Sequence, residues 1–182
     1  MCEFSVEFVF GSVDKPLAAE LFDFWNHNQA SYQAELKSFR SVKDSAGIEP
    51  LLSKQKVLRR QPGAIARNKE GSIIGVVFVV LRELESHLNL GSHAYFQRMY
   101  ALPQARLFYL TNHLYKIFLQ GFINSVELRD HRAGILISEN INPGLHKGAM
   151  RRYFARLGFK MLGSNQLGGE VWLLKLQTQF IF

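Results

Sequence analysis

One stretch constrains this chain more than any other: Ala133 to Phe159, AGILISENINPGLHKGAMRRYFARLGF. It opens on the short apolar run Ile135, Leu136 and Ile137, which is too brief for a helix and predicts a buried strand over Gly134–Ser138. Asn140 and Asn142 carry the side-chain-to-backbone chemistry of a tight turn. Pro143 suits the first turn of a helix, where a missing N–H costs nothing. Asn142 before it is the expected N-cap, because its side-chain oxygen can accept from a free backbone N–H. Leu145, Ala149, Tyr153 and Leu157 recur every four residues and define one helix face. Gly158 can take the left-handed conformation that ends a helix, with Phe159 folding back on the last turn.

The remaining chain supplies elements around this unit. Phe4, Val6, Phe8 and Phe10 alternate with Glu3, Ser5, Glu7 and Val9, the pattern of a half-buried strand. Asp14, Lys15 and Pro16 open a helix with Leu17, Leu21, Phe24 and Trp25 on its apolar face. Trp25 to Asn28 reads as a polar interruption containing His27, and Tyr32 to Phe39 as a resumed helix. Ser41 to Glu49 reads as a loop, and Leu51 to Arg60 as a helix stopped at Pro62-Gly63. Ala64 to Asn68 and Ser72 to Leu84 flank the turn Asn68-Lys69-Glu70-Gly71, a hairpin signal. The second run, Ile73 to Val80, is almost wholly apolar and predicts a central strand covered on both faces. A strand over Ala94–Leu102 follows, then a helix from about Ala105 to Gln120 with Leu107, Leu110, Leu114, Ile117 and Gly121 on its buried stripe and Gly121 also able to cap it. Lys160 to Leu162 and Glu170 to Leu176 close the chain as strands around a Gly-rich turn.

A length of 182 residues gives one domain, 1–182, with enough chain for a real core. No apolar run approaches the ~20 residues of a membrane span. The N-terminus has no basic region followed by an apolar one, so a cytoplasmic address is expected. The single cysteine, Cys2, excludes an internal disulfide and a cysteine metal cluster. His93, His113, His131 and His146 show no metal-ligand spacing, so no metal is expected. The formal charge of +7 is spread over scattered Lys and Arg, which fits an anionic small molecule or simple solubility and argues against nucleic acid and membrane partners. The apolar tail Phe180-Ile181-Phe182 would add a strand, pack on its own core or cover a second copy in a homodimer.

A strand, an Asn-rich turn and a helix ending in Tyr153-Phe154-x-x-Leu157-Gly158-Phe159 resemble the C-terminal half of the GNAT acyl-CoA-dependent N-acyltransferases. The order strand, two helices, hairpin, strand, helix, strand, helix, two strands resembles that family over nearly the full chain. The resemblance implies an α/β (α+β) domain: a central mixed, mostly antiparallel sheet of about seven strands flanked by helices. It implies an N-acyltransferase using acetyl-CoA or another acyl-CoA, with a small-molecule or peptide amine as acceptor. The thioester is then expected where the fourth and fifth strands splay, and the CoA pyrophosphate at the following helix N-terminus, where free N–H groups favour anions.

The loop so implicated runs Ala101, Leu102, Pro103, Gln104, Ala105, Arg106, Leu107, Phe108, Tyr109, Leu110, Thr111 and Asn112. The family signature is Arg/Gln-x-x-Gly-x-Gly/Ala. With Arg106 as its first member, Tyr109 and Thr111 stand at the glycine positions, where a side chain obstructs phosphate approach. Asn142 and Phe154 complete the cofactor-side expectation. The family's proton-donating tyrosine, four residues before the glycine, falls on Phe154, and Tyr153 beside it is the candidate. Glu139 at the strand end and Tyr100 are the other acid–base candidates. Two alternatives share the fold: a catalytically silent binding or regulatory module, or acyl transfer from a carrier protein or aminoacyl-tRNA.

Overall fold

A computed structural model describes residues 4–39, 55–165 and 168–177. Strand β1 is Phe4–Phe8, helix α1 Lys15–Phe39, β2 Val57–Asn68, β3 Ile73–Glu83 and β4 His93–Ala101. Helix α2 is Phe108–Asn124, β5 Ala133–Asn140, α3 Gly148–Arg156, β6 Lys160–Ser164 and β7 Glu170–Lys175. They build one seven-stranded sheet in the order β1-β2-β3-β4-β5-β7-β6. Only β4 and β5 run parallel; every other neighbouring pair is antiparallel. The sheet is the mixed, mostly antiparallel one expected.

The alternation of β-strand side chains decides what each helix covers. Val77, Val79, Tyr95, Leu136 and Trp172 share one core cluster with Leu114, Phe118 and Phe122 of α2 and Phe154 of α3. Ile65, Val76 and Tyr100 pack on the other face with Phe24, Leu17, Leu21 and Tyr32 of α1. Burying apolar area on both faces, at about 25 cal/mol per Å², holds the layers together.

Several local expectations are corrected. The interruption at Trp25–Asn28 does not exist, because α1 is one continuous helix. His27 Nδ1 lies 2.7 Å from the Asp23 carbonyl and Asn28 Nδ2 donates to the Phe24 carbonyl at 2.7 Å, so both polar side chains bond back one turn. The expected pair of helices is thus a single one. Of the helix expected over Leu51–Arg60, residues 51–54 lie outside the described residues, and Val57–Arg60 belong to β2, paired with Arg82, Leu81 and Val80 of β3. Pro62-Gly63 does not stop the segment either: β2 passes it through a register shift between Pro62 and Ala64. The loop Ser41–Glu49, Cys2 and the tail at 178–182 also lie outside the described residues.

Gly121 does not cap α2, which continues to Asn124. A Cβ there would lie 2.4–2.8 Å from ring carbons of Phe8. The glycine therefore makes room for β1 to lie against the helix. Gly121→Ala should destabilise the protein by about 1–3 kcal/mol through overpacking, although Ala is the better helix former by about 1 kcal/mol. Urea unfolding checks the sign, and a stabilised variant would refute the packing role.

Candidate active site

Helix α3 reaches its place through a shorter path than expected. Pro143–His146 is a separate 3-10 turn, and the Asn142 side chain accepts from Gly144 N–H at 2.8 Å. Asn142 is the anticipated cap, but of this turn and not of α3. Lys147 is extended (φ −66°, ψ 147°), and α3 begins only at Gly148. Its end is as expected: Gly158 has φ 91°, its N–H donates to the Ala155 carbonyl, and Phe159 N–H donates to the Phe154 carbonyl. The inward face differs from the expected one. Phe154 is buried with Met150, Tyr153 and Leu157 beside it, while Ala149 is exposed.

The decisive geometry lies between the two parallel strands. Their pairing runs from His93–Ala133 to Gln97–Ser138 and stops there. Beyond it, β4 stays paired with β3 out to Ala101–Gly75, and β5 stays paired with β7 out to Asn140–Glu170. The two strands part company, each held by its outer neighbour. Leu102 N–H bonds the Ile74 carbonyl of β3. By strand alternation Met99 and Ala101 turn their backbone groups the other way, toward the gap.

A cavity of about 440 Å³ occupies this gap. It threads the sheet: Tyr32, Glu35, Arg98 and Glu139 line it on the α1 side, and Asn112, Tyr115 and Tyr153 on the side of α2 and α3. Three buried polar atoms around it have no hydrogen-bond partner among the described residues: Tyr100 Oη, Glu139 Oε1 and Asn140 Nδ2. Buried polar groups are normally paired, so three orphans around one cavity mark a place for a ligand's polar atoms. Glu139 Oε2 accepts from Arg98 Nη2 at 3.2 Å, and its side chain is only 3% exposed. Burial works against the Arg98 charge, but Tyr32 and Glu139 more than offset it and raise its pKa. Tyr153 donates to Asn112 Oδ1 at 2.7 Å, and burial raises its pKa above that of a free phenol.

The residues singled out by sequence divide cleanly. Tyr100, Ala101, Arg106, Phe108, Thr111, Asn112, Glu139, Asn142, Tyr153 and Phe154 all line the cavity. Leu102, Leu107, Tyr109 and Leu110 are not in its lining. Leu110 sits in the core, and Leu107 is 54% exposed at the helix mouth. The Tyr109 ring turns toward β1, meeting the Phe4 ring edge-on at 5.5 Å and stacking on His113. It does not plug the opening. The helix expected from Ala105 starts at Phe108, because Pro103–Ala105 forms a 3-10 turn and Leu107 is extended. The N-cap residue Leu107 gives the first turn of α2 no side-chain cap, so the N–H groups of Phe108, Tyr109 and Leu110 are donors available to an anion.

Arg106 is differently engaged from the expectation of a free phosphate ligand. Its guanidinium grips both carboxylate oxygens of Glu35 at 2.5 and 2.6 Å, and its Nε donates to the Ala101 carbonyl at 2.9 Å. Glu35, Arg98, Tyr32 and Asn140 were not anticipated as site residues. Arg98, a charge inside an apolar strand between Phe96 and Tyr100, was the one sequence signal for them. Glu35 gave none, since its partner is 71 residues away. Among the described residues no His, Cys, Asp and Glu cluster could hold a metal, and no helix is long and apolar enough to cross a membrane.

The solved structures similar to this one are acetyltransferases. The acetyltransferase of the GNAT family from Streptococcus pneumoniae matches over 96% of this chain and 100% of its own, at 14% identity and a TM-score of 0.53. This chain has the GNAT fold. A candidate acetyltransferase from Salmonella typhimurium, solved with its cofactor acetyl-CoA, matches over 99% and 98% of the two chains at 12% identity and a TM-score of 0.47. A candidate acetyltransferase from Acinetobacter baylyi matches over 64% of each chain at 16% identity and a TM-score of 0.42. No protein-family model and no curated protein sequence matches the chain. At these identities the likeness is one of GNAT architecture, and the chemistry has to come from the cavity itself.

Proposed function

We propose that this GNAT-fold chain is an N-acyltransferase that takes an acyl group from acetyl-CoA or another acyl-CoA and passes it to a small amine. The observation that carries the reading is the gap beyond Gln97–Ser138, with orphaned polar atoms on its walls. An acyl-CoA brings an activated thioester to that gap. The amides of Met99 and Ala101 face the space where the acyl carbonyl would lie, and such donors stabilise negative charge developing on its oxygen. Met99, Ile141 and Phe154 supply apolar wall for the donor's arm. The uncapped first turn of α2 offers its N–H groups to the donor's phosphates.

The acceptor nitrogen forms a bond to the acyl carbon as the carbon–sulfur bond breaks. The nitrogen gives up a proton and the departing sulfur takes one, leaving an amide and a thiol. Glu139 Oε1, buried and unpartnered, accepts an N–H of the incoming amine directly or through a water. Tyr153 holds a proton on the opposite side, its phenol kept neutral by burial, and delivers it to sulfur. Tyr100 Oη, also unpartnered, orients the reacting groups. Titration calorimetry with acetyl-CoA should show saturable binding, and no heat at millimolar ligand would defeat the reading.

The bond from Arg106 to Glu35 commits that guanidinium within the protein and favours a second reading, in which the fold is a catalytically silent binding or regulatory module. Glu35→Gln should release the guanidinium and tighten acetyl-CoA about tenfold, the ~1.4 kcal/mol of one charge-assisted hydrogen bond. An unchanged Kd would place the phosphates away from Arg106. Binding without thiol release across a broad panel of amines would favour the silent module.

A further inference from the structure

From the α1 side of the cavity we infer that the acceptor is a free α-amino acid with an apolar side chain. This rests on the acyltransferase reading and adds the substrate's class. The half of the cavity facing α1 carries one ion pair, Arg98 Nη2 to Glu139 Oε2 at 3.2 Å, at the place where β4 and β5 diverge. A positive and a negative group thus stand side by side, both open to the cavity. An α-amino acid carries the complementary pair, its nitrogen and its carboxylate separated by a single carbon.

Each partner has capacity left. Glu139 is 3% exposed, and its Oε1 has no hydrogen-bond partner among the described residues. A carboxylate accepts at both oxygens, so Oε1 can take the amino group. Arg98 has five N–H donors in a planar fork, of which its bond to Glu139 uses only one, and the side chain remains 34% exposed. A carboxylate is the planar two-oxygen group that such a fork recognises best. A plain amine would leave Arg98 facing apolar ligand surface without a further partner.

The rest of the wall on this side is the Glu35–Arg106 ion pair and an apolar patch. Tyr32, Leu36 and Phe39 fall at spacings of four and three along α1, so they share a helix face, and all three line the cavity. That surface would take the amino acid's side chain. With the carboxylate on Arg98 and the nitrogen on Glu139, the nitrogen is held at β5, beside the gap that the donor's thioester would enter. An amino acid arrives as an ammonium, so acylation removes two protons from nitrogen: one leaves to solvent and one ends on the sulfur.

The test compares L-leucine and L-phenylalanine with 3-methylbutylamine and phenethylamine, which keep the nitrogen and side chain but lack the carboxylate. Thiol release from acetyl-CoA should give a kcat/KM at least about 10²-fold higher for the amino acids, since a site built for a polar group rejects the analogue lacking it. Arg98→Lys keeps the charge and loses the fork. It should raise KM for the amino acids about tenfold or more and shrink the preference, with the thermal midpoint confirming that the variant folds. Equal or better use of the plain amines, or a preference unchanged in Arg98→Lys, overturns the inference while leaving acyl transfer standing. Failure of acetyl-CoA to bind overturns acyl transfer instead. Calorimetry with L-leucine and L-phenylalanine alone then decides the amino-acid site: binding weakened by Arg98→Lys supports it, and no binding at 10 mM, a concentration well above the ~1 mM upper end of ordinary substrate KM values, ends it.

Discussion

Phe154→Ala should lower the stability of the protein by about 3–5 kcal/mol, the range for removing a buried ring from a core. Phe154 is 5% exposed. Its ring packs against Tyr115 at 6.1 Å, Trp172 at 5.6 Å, Phe159 at 5.8 Å and Tyr153 at 5.8 Å. These neighbours come from α2, β7, the end of α3 and α3 itself, so one side chain joins the last helix to the sheet. Fixed rings on α2, β7 and the segment after α3 cannot collapse into the void, which puts the cost toward the upper end. Guanidinium unfolding monitored by tryptophan fluorescence reads the loss directly, since Trp172 is in contact. A cost below about 1 kcal/mol would mean that α3 is not anchored there. Phe154→Leu, which keeps most of the apolar volume, should lose much less.

The same residue shows what was legible in the sequence and what was not. The β5–turn–α3 unit was readable because its signals are local: an apolar triplet, an Asn cap, and a glycine that must adopt φ 91°. The β2–β3 hairpin was readable from Gly71 between β-rich runs, and that glycine has φ 84°. Errors arose where tertiary contacts override local pattern. His27 and Asn28 looked like a break, yet helix carbonyls satisfy them. Val57–Arg60 looked helical, yet pairing with β3 makes it strand. Gly121 belongs to the inward stripe as expected, but it is not the terminus: the helix runs on past the point where the Phe8 ring approaches it.

The cavity was legible in its address and not in its wiring. Strand ends at Tyr100 and Glu139 could be placed from periodicity, which is why so many of the expected residues line it. Which groups pair with one another depends on contacts across the sequence that no local pattern encodes. Arg98 bonds Glu139 across 41 positions, and Arg106 is held by Glu35 across 71. The family pattern, carried over position by position, put the proton donor at Phe154. A ring without a hydroxyl stands there, buried in the core, and the phenol that reaches the cavity is the adjacent one.

That shift by one position makes Tyr153→Phe the most informative single change to turnover. We expect kcat to fall about 10²–10⁴-fold, the usual worth of a positioned acid or base, with the Kd for acetyl-CoA altered less than threefold. The substitution removes one oxygen from a half-buried ring whose hydroxyl bonds Asn112 Oδ1 at 2.7 Å. The fold should lose no more than about 1 kcal/mol, so a large drop in rate cannot be ascribed to unfolding. Asn112→Ala separates orientation from proton transfer. It leaves the hydroxyl but frees its direction, and should cost roughly tenfold and not a thousandfold. The pH dependence carries a sign. An acid works while protonated, and burial raises the pKa of Tyr153 above the ordinary phenol value of about 10. In the native protein the midpoint of the alkaline fall in kcat should therefore lie above pH 10, and in Tyr153→Phe the residual rate should lose that limb. If Tyr153→Phe turns over at the native rate while acetyl-CoA still binds, the proton reaches sulfur from elsewhere, and Tyr153 is left as a packing residue on the wall of the gap.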